Sequence, residues 1–243
     1  KRMTIDTFKA QNRGGRGIKG IQTLADDVTE QMIITNTHNN LLFFTNTGRV
    51  FRMKVYQIPE GSRNARGTAI VNLLQLQPGE SIATVMAVET FGGAKNLIMA
   101  TKKGLVKKTA LSAYTNIRTN GLIGIALRED DELIEVKPSD GMRDILMISK
   151  KGKAIRFNEN EVRAVGRNSM GVTGMRFSKD DELIAMIMDI QGECILFATE
   201  NGMGKRTLVS EFSSQHRGGQ GVLCYKVTEK TGDIVSAKAV NEG

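Results

Sequence analysis

Four residues after a recurring turn glycine stand Arg52, Lys108, Arg156 and Arg206, and Arg2 takes that place in an opening, incomplete unit. All five are cations. With 34 Lys and Arg in 243 residues, chance would fill five such places about once in twenty thousand, so the register belongs to the repeat. Four residues before a second recurring glycine stand Arg13, Arg63, Arg167 and Arg217, and a shorter loop puts Arg118 three before Gly121. Arg16, Lys19, Arg49, Lys54, Arg66, Lys102, Lys103, Lys107, Lys150, Lys151, Lys153 and Lys205 surround the two registers. Acid collects elsewhere, at Asp26-Asp27, residues 129–132 and residues 180–182. A lone surface cation solvates a strand edge and discourages edge pairing. Cations repeated in register and segregated from acid can hold a phosphodiester backbone, where contacts fix position and release counterions without reading sequence.

Other chemistry finds little support. Two histidines (His38, His216) and two cysteines (Cys194, Cys224) without CxxC spacing provide neither a disulfide framework nor a Cys/His zinc site. No catalytic triad or carboxylate pair assembles, and no metal or cofactor is expected. His216, in a basic loop, should face solvent or phosphate; the cysteines should pack in the core. Gly15-Arg16-Gly17-Ile18-Lys19-Gly20 fits G-x-G-x-x-G, but no apolar strand enters it and no amphipathic helix leaves it. Gly152-Lys153 and Gly204-Lys205 lack the Ser/Thr of a Walker A loop. No run reaches the ~20 apolar residues of a membrane helix, and Lys1-Arg2-Met3-Thr4 opens no signal segment, so a reducing cytosol is expected. The net charge of +8 and pI near 9.5 point to a polyanionic partner.

The elements that position these cations read as strands. Short runs rich in Ile, Val, Leu, Phe and Thr alternate with Gly, Asn and Asp turns, and helical patterns are missing. An apolar run ending in a turn glycine recurs about every fifty residues, at Gly48, Gly104, Gly152 and Gly202. A second series follows at Gly17, Gly67, Gly121, Gly171 and Gly221. Each later glycine of that series precedes a strand-like run (68–76, 172–177, 222–227), and a last apolar strand closes each unit. Four strands per unit of this length are the signature of a propeller blade. Phe8, Ile58, Tyr114, Val162 and Phe212, six residues beyond the first cation register, are all apolar and confirm the alignment. The chain is therefore expected to be one all-β domain over 1–243, with units near 1–40, 41–95, 96–143, 144–192 and 193–243. Because the first unit lacks its opening strand, the chain is expected to come from a longer polypeptide.

Gln11-Asn12-Arg13-Gly14-Gly15-Arg16-Gly17 sits at the loop position of a repeat, and the fifth unit repeats it as Gln215-His216-Arg217-Gly218-Gly219-Gln220-Gly221. With the blade period, the basic registers and Phe-Phe-Thr-Asn-Thr-Gly-Arg-Val at 43–50, the chain resembles the C-terminal domain of bacterial DNA gyrase A. Asn12 departs from the basic residue usual there. The resemblance implies a β-pinwheel, commonly of six blades where five are visible, whose blades exchange strands and whose basic rim bends duplex DNA. It implies a non-catalytic, cofactor-free part of an ATP-dependent type II topoisomerase, partnered by the rest of gyrase A and by gyrase B in a heterotetramer. The wrap would enable negative supercoiling, in the bacterial cytoplasm at the nucleoid. DNA contacts are expected from residues 11–17 and from Arg2, Arg52, Arg63, Lys108, Arg118, Arg156, Arg167, Arg206 and Arg217. Tyr56, Tyr114 and Tyr225 lie in or beside strands without an acidic metal site. The alternatives are the paralogous topoisomerase IV domain and a protein-interaction propeller. The latter's Trp-Asp dipeptides are excluded by the absence of Trp.

Overall fold

A computed structural model describes residues 1–3, 33–62, 65, 67–93 and 95–241. Apart from short 3-10 turns, its regular structure is antiparallel strand. Each apolar run and the residues after its glycine form a hairpin: β1 (Asn40–Thr45) with β2 (Arg49–Lys54), β4 (Asn96–Thr101) with β5 (Leu105–Ala110), β8 (Asp144–Ser149) with β9 (Lys153–Asn158), and β12 (Cys194–Thr199) with β13 (Gly204–Leu208). At each bend a hydroxyl on the first strand accepts the main-chain N–H four residues on: Thr45 from Arg49, Thr101 from Leu105, Ser149 from Lys153 and Thr199 from Met203. The closing strand of each unit pairs with the first strand of its hairpin. These are β3 (Ile82–Val88), β7 (Leu133–Ser139), β11 (Leu183–Met188) and β15 (Ile234–Val240).

The fourth strand comes from the following unit. β6 (Leu122–Ile123) pairs with β2, β10 (Val172–Thr173) with β5, and β14 (Val222–Leu223) with β9. The sheets therefore run β3-β1-β2-β6, β7-β4-β5-β10 and β11-β8-β9-β14, while β15-β12-β13 has three strands among the described residues. The fold is a β-pinwheel, and strand exchange is visible at three successive junctions. The donated strands are only two residues long, shorter than the apolar runs that announced them. Residues 68–76 form no strand at all; a 3-10 turn at Ile70–Asn72 takes their place. In that segment Ile70 stands where Gly124, Gly174 and Cys224 bond to the preceding hairpin glycine, and its carbonyl closes the turn by accepting from Leu73 N and Leu74 N.

Main-chain hydrogen bonds repeat the exchange. The carbonyl of each hairpin glycine accepts two N–H groups from the next unit: Gly48 from Gly124 and Ile125, Gly104 from Gly174 and Met175, Gly152 from Cys224 and Tyr225. Gly104 is thus constrained twice, by its φ of 91° and by the Met175 carbonyl, which would meet any Cβ there. The sheets stack face to face, and apolar clusters fill the spaces between them. Leu42 and Phe44 pack on Leu97 and Met99; Ile98 and Ala100 on Ile145 and Met147; Leu146 and Ile148 on Ile195 and Phe197. The closing strands β3, β7, β11 and β15 lie against one another in succession. They form the inner edges of the sheets, so the donated strands occupy the outer ones.

Candidate nucleic-acid interface

The second cation register lies just before these outer strands. Arg118 is exposed and has no side-chain partner among the described residues. Arg167 donates from Nη1 to the Ile123 carbonyl at 2.8 Å, and Arg217 donates to the Thr173 carbonyl at 3.0 Å. Arg167 and Arg217 each reach back to the strand donated by the preceding unit, which fixes the spacing between successive loops. Both remain half-exposed, and a guanidinium with five donors keeps capacity for a phosphate. These side chains form a row of cations along the outer edges of consecutive sheets. Arg13 and Arg63 of the same register, like Arg16 and the other residues of 11–17, lie outside the described residues.

The first register has a different setting. Arg52, Lys108 and Arg156 pair across the hairpin with Leu42, Ile98 and Leu146. Directly opposed residues share a face, and here it is the face that packs on the next unit. Their heads accordingly tie units together. Arg2 donates to Ile58 O, Arg52 to Thr115 O, and Arg156 to Val209 O and Phe212 O while ion-paired with Asp144 at 2.8 Å. Lys108, 7% exposed, pairs at 3.1 Å with the fully buried Glu159 of the next unit. That carboxylate also accepts from Ser139 Oγ and Arg143 N. Only Arg206, in the three-stranded sheet, is exposed and without a side-chain partner among the described residues. The expected continuous path of free cations is thus a series of inter-unit ties in this register. Lys107, counted with the surface basics in the sequence, is instead wholly buried.

Acid is segregated for a structural reason as well. Asp131 accepts the N–H of Lys103 and Asp181 that of Lys151, so each caps a hairpin. Glu80 does so through Thr45 and Thr47. Burial pushes the Glu80 carboxyl up, but hydrogen bonds from Thr47, Gln77 N and Thr45, with the Arg49 charge, outweigh it and hold the group below its ordinary value. Cys194 and Cys224 are both buried; Cys224 belongs to the last core cluster, where desolvation pushes its thiol up to about 12. His216 projects almost entirely into solvent, its Nδ1 3.2 Å from Glu161 Oε1.

The sequence pattern described as the DNA gyrase C-terminal domain, a β-propeller, matches residues 1–36, 39–89, 95–140, 143–188 and 195–241. The chain belongs to this family. It is 49% identical over 243 residues to the DNA gyrase A protein of Clostridium acetobutylicum, covering 100% of this chain and 29% of the relative. Against the DNA gyrase A protein of Staphylococcus aureus (strain MRSA252) the identity is 41%, covering 99% and 27%. The chain thus spans little more than a quarter of these relatives. Among solved structures, the C-terminal domain of a DNA topoisomerase IV aligns with a TM-score of 0.83 at 27% identity, over 99% of this chain and 74% of the other. A DNA gyrase A C-terminal domain aligns with a TM-score of 0.75 at 26% identity, over 98% and 78%.

In this gyrase-family domain the loop at 215–221 shows how the Gln-x-Arg-Gly-Gly-x-Gly sequence folds when it joins two units. Gln215 N donates to Arg156 O and Gly218 N to Gly174 O, while Gly219 O accepts from Arg176 N. Arg217 adds bonds from Nε to Glu161 O and from its N–H to Glu161 Oε1. Gly218 takes a φ of 89° and Gly221 one of 76°; at Gly221 a Cβ would meet Ala154 O. The arginine is therefore a latch on the preceding unit as well as a rim cation. Sequence spacing showed its charge but not its acceptors, one of which, Thr173, lies 44 residues earlier in the chain.

Proposed function

We propose that this domain binds duplex DNA along its outer edge without reading sequence and bends the duplex around itself. The carrying observation is the placement of Arg118, Arg167 and Arg217 beside successive outer strands, in a family named for DNA gyrase. Bending a duplex over tens of base pairs costs several kcal/mol, and phosphate contacts distributed over several units offset that cost better than one strong site. The domain would act without an active site of its own, as part of an ATP-dependent type II topoisomerase with the rest of gyrase A and with gyrase B. In that enzyme the wrap would present a crossover whose passage gives negative supercoils. Residues 11–17 and Arg63 join the proposed contact set, as does Arg206. Among the described residues no helix is long and apolar enough to cross a membrane. A cytoplasmic, nucleoid-associated setting follows from the proposed role.

The test is the salt dependence of binding to random-sequence duplex with nuclease protection of a long fragment. The log–log slope should be about −0.9 per neutralised phosphate, steeper than −5 with most units engaged. A slope near −2 with a short footprint would overturn the wrap. In the full enzyme, Arg13→Ala with Arg16→Ala should abolish negative supercoiling and leave relaxation and cleavage. The topoisomerase IV paralogue is the second reading, since the solved domain of that enzyme shares this fold. Absence of negative supercoiling by the intact wild-type enzyme would favour it.

A further inference from the structure

Lys107 lies on β5 at a register held by Phe51 in the preceding unit and Ile155 in the following one, both 1% exposed. At all three positions the side chain supports the Arg–Gly loop of the next unit. A Cβ on Gly121 would lie 3.0 Å from the Phe51 ring, one on Gly171 2.9 Å from Lys107 Cβ, and one on Gly219 3.7 Å from Ile155 Cδ1. Lysine also stands in this register at Lys1 and Lys205, but those side chains are not buried, whereas Lys107 is wholly buried. Its Nζ donates to the Gly124 carbonyl at 2.6 Å and to the Arg167 carbonyl at 2.7 Å. One side chain therefore grips the 167–171 loop at both ends, under Gly171 by its Cβ and at Arg167 by its ammonium. The Arg167 side chain is separately fixed on Ile123 O. Stability alone does not call for this arrangement, since Phe and Ile fill the same place in neighbouring units and burying an amine is costly.

We infer that Lys107 is a positioning residue for DNA binding, holding the main chain of Arg167 so that its guanidinium meets a phosphate at a fixed place on the outer edge. This rests on the proposed wrap. The charged groups facing the amine and its strand are Arg167 and, on the following residue's opposite face, the Lys108–Glu159 pair; Tyr114 shares the Gly124 carbonyl.

The experiment is a double-mutant cycle in the intact domain with Lys107→Met and Arg167→Ala, read by salt slope, footprint and thermal midpoint. Lys107→Ile, copying the next unit, is a second variant that keeps the core filled. Lys107→Met should retain or raise the midpoint, reduce the salt slope by about one, and weaken the same stretch of footprint that Arg167→Ala weakens. In the Arg167→Ala background it should have no further effect. Equal effects of Lys107→Met with and without Arg167 would overturn the inference and leave a structural lysine. So would a footprint unchanged in both lysine variants, or one unchanged in Arg167→Ala. Failure of the wild-type domain to protect duplex at all would instead reject the wrap itself.

Discussion

A buried amine at Lys107 has a thermodynamic signature apart from DNA. Desolvation, with a smaller contribution from Arg167, lowers its pKa from 10.5 to about 7. Below about pH 7 the folded and unfolded states both carry the proton, and the folded state bears the full cost of the buried charge. Between about 7 and 10.5 the unfolded chain binds more protons than the native one, so stability rises with pH. Chemical denaturation at pH 6.5 and 9.5 should show an increase on the order of a few kcal/mol, and Lys107→Met should flatten it. Glycines separate in the same way. Gly104→Ala must strain a positive φ and push against Met175 O, whereas Gly202, at φ 78° with nothing within 4 Å of a Cβ, bears the dihedral cost alone, about 1–2 kcal/mol. Thermal midpoints of the two variants should differ clearly, with Gly104→Ala the lower.

Among the elements, the buried Lys108–Glu159 pair occupies a junction that is otherwise apolar. Val55, Leu111 and Val209 begin the corresponding 3-10 turns where Glu159 stands. Removing one partner leaves an uncompensated buried charge, so Lys108→Ala or Glu159→Leu should each cost about 3–5 kcal/mol, while Lys108→Met with Glu159→Leu should recover most of it. Denaturant midpoints of the three variants check this. Variants of Lys108 and Arg156 should consequently lower stability before they shorten a footprint. The hairpins, the period and the alignment of Tyr114 with Val162 and Phe212 were legible because strand apolarity and turn glycines are local properties. The roles of Lys107 and Lys108 were not. An ammonium at a strand position looks alike whether solvent or a neighbouring sheet covers it, and the covering residues, Gly124, Glu159 and Arg167, arrive later in the chain. Residues 68–76 carried the apolarity of a strand, but their main chain closes on itself in a 3-10 turn at Ile70–Asn72.

For the molecule as a whole, the outer-edge arginines should act collectively. Neutralising Arg118, Arg167 and Arg217 one after another should shorten nuclease protection stepwise and flatten the salt slope by about one each. A footprint that survives all three would place DNA on another surface. The exchanged strands also impose an order in time. β2 ends at Lys54, yet the strand that covers it begins at Leu122; β5 ends at Ala110 and waits for Val172; β9 ends at Asn158 and waits for Val222. During synthesis each sheet emerges with a bare edge and is finished only after most of the following unit has been translated. At translation rates of ~5–20 residues per second that interval lasts seconds, far longer than the microseconds a hairpin needs to close. Nascent chains stalled within such an interval would present a ready template for pairing with one another. Ribosome pausing just before residues 122, 172 or 222 should therefore raise aggregation more than pausing just after them.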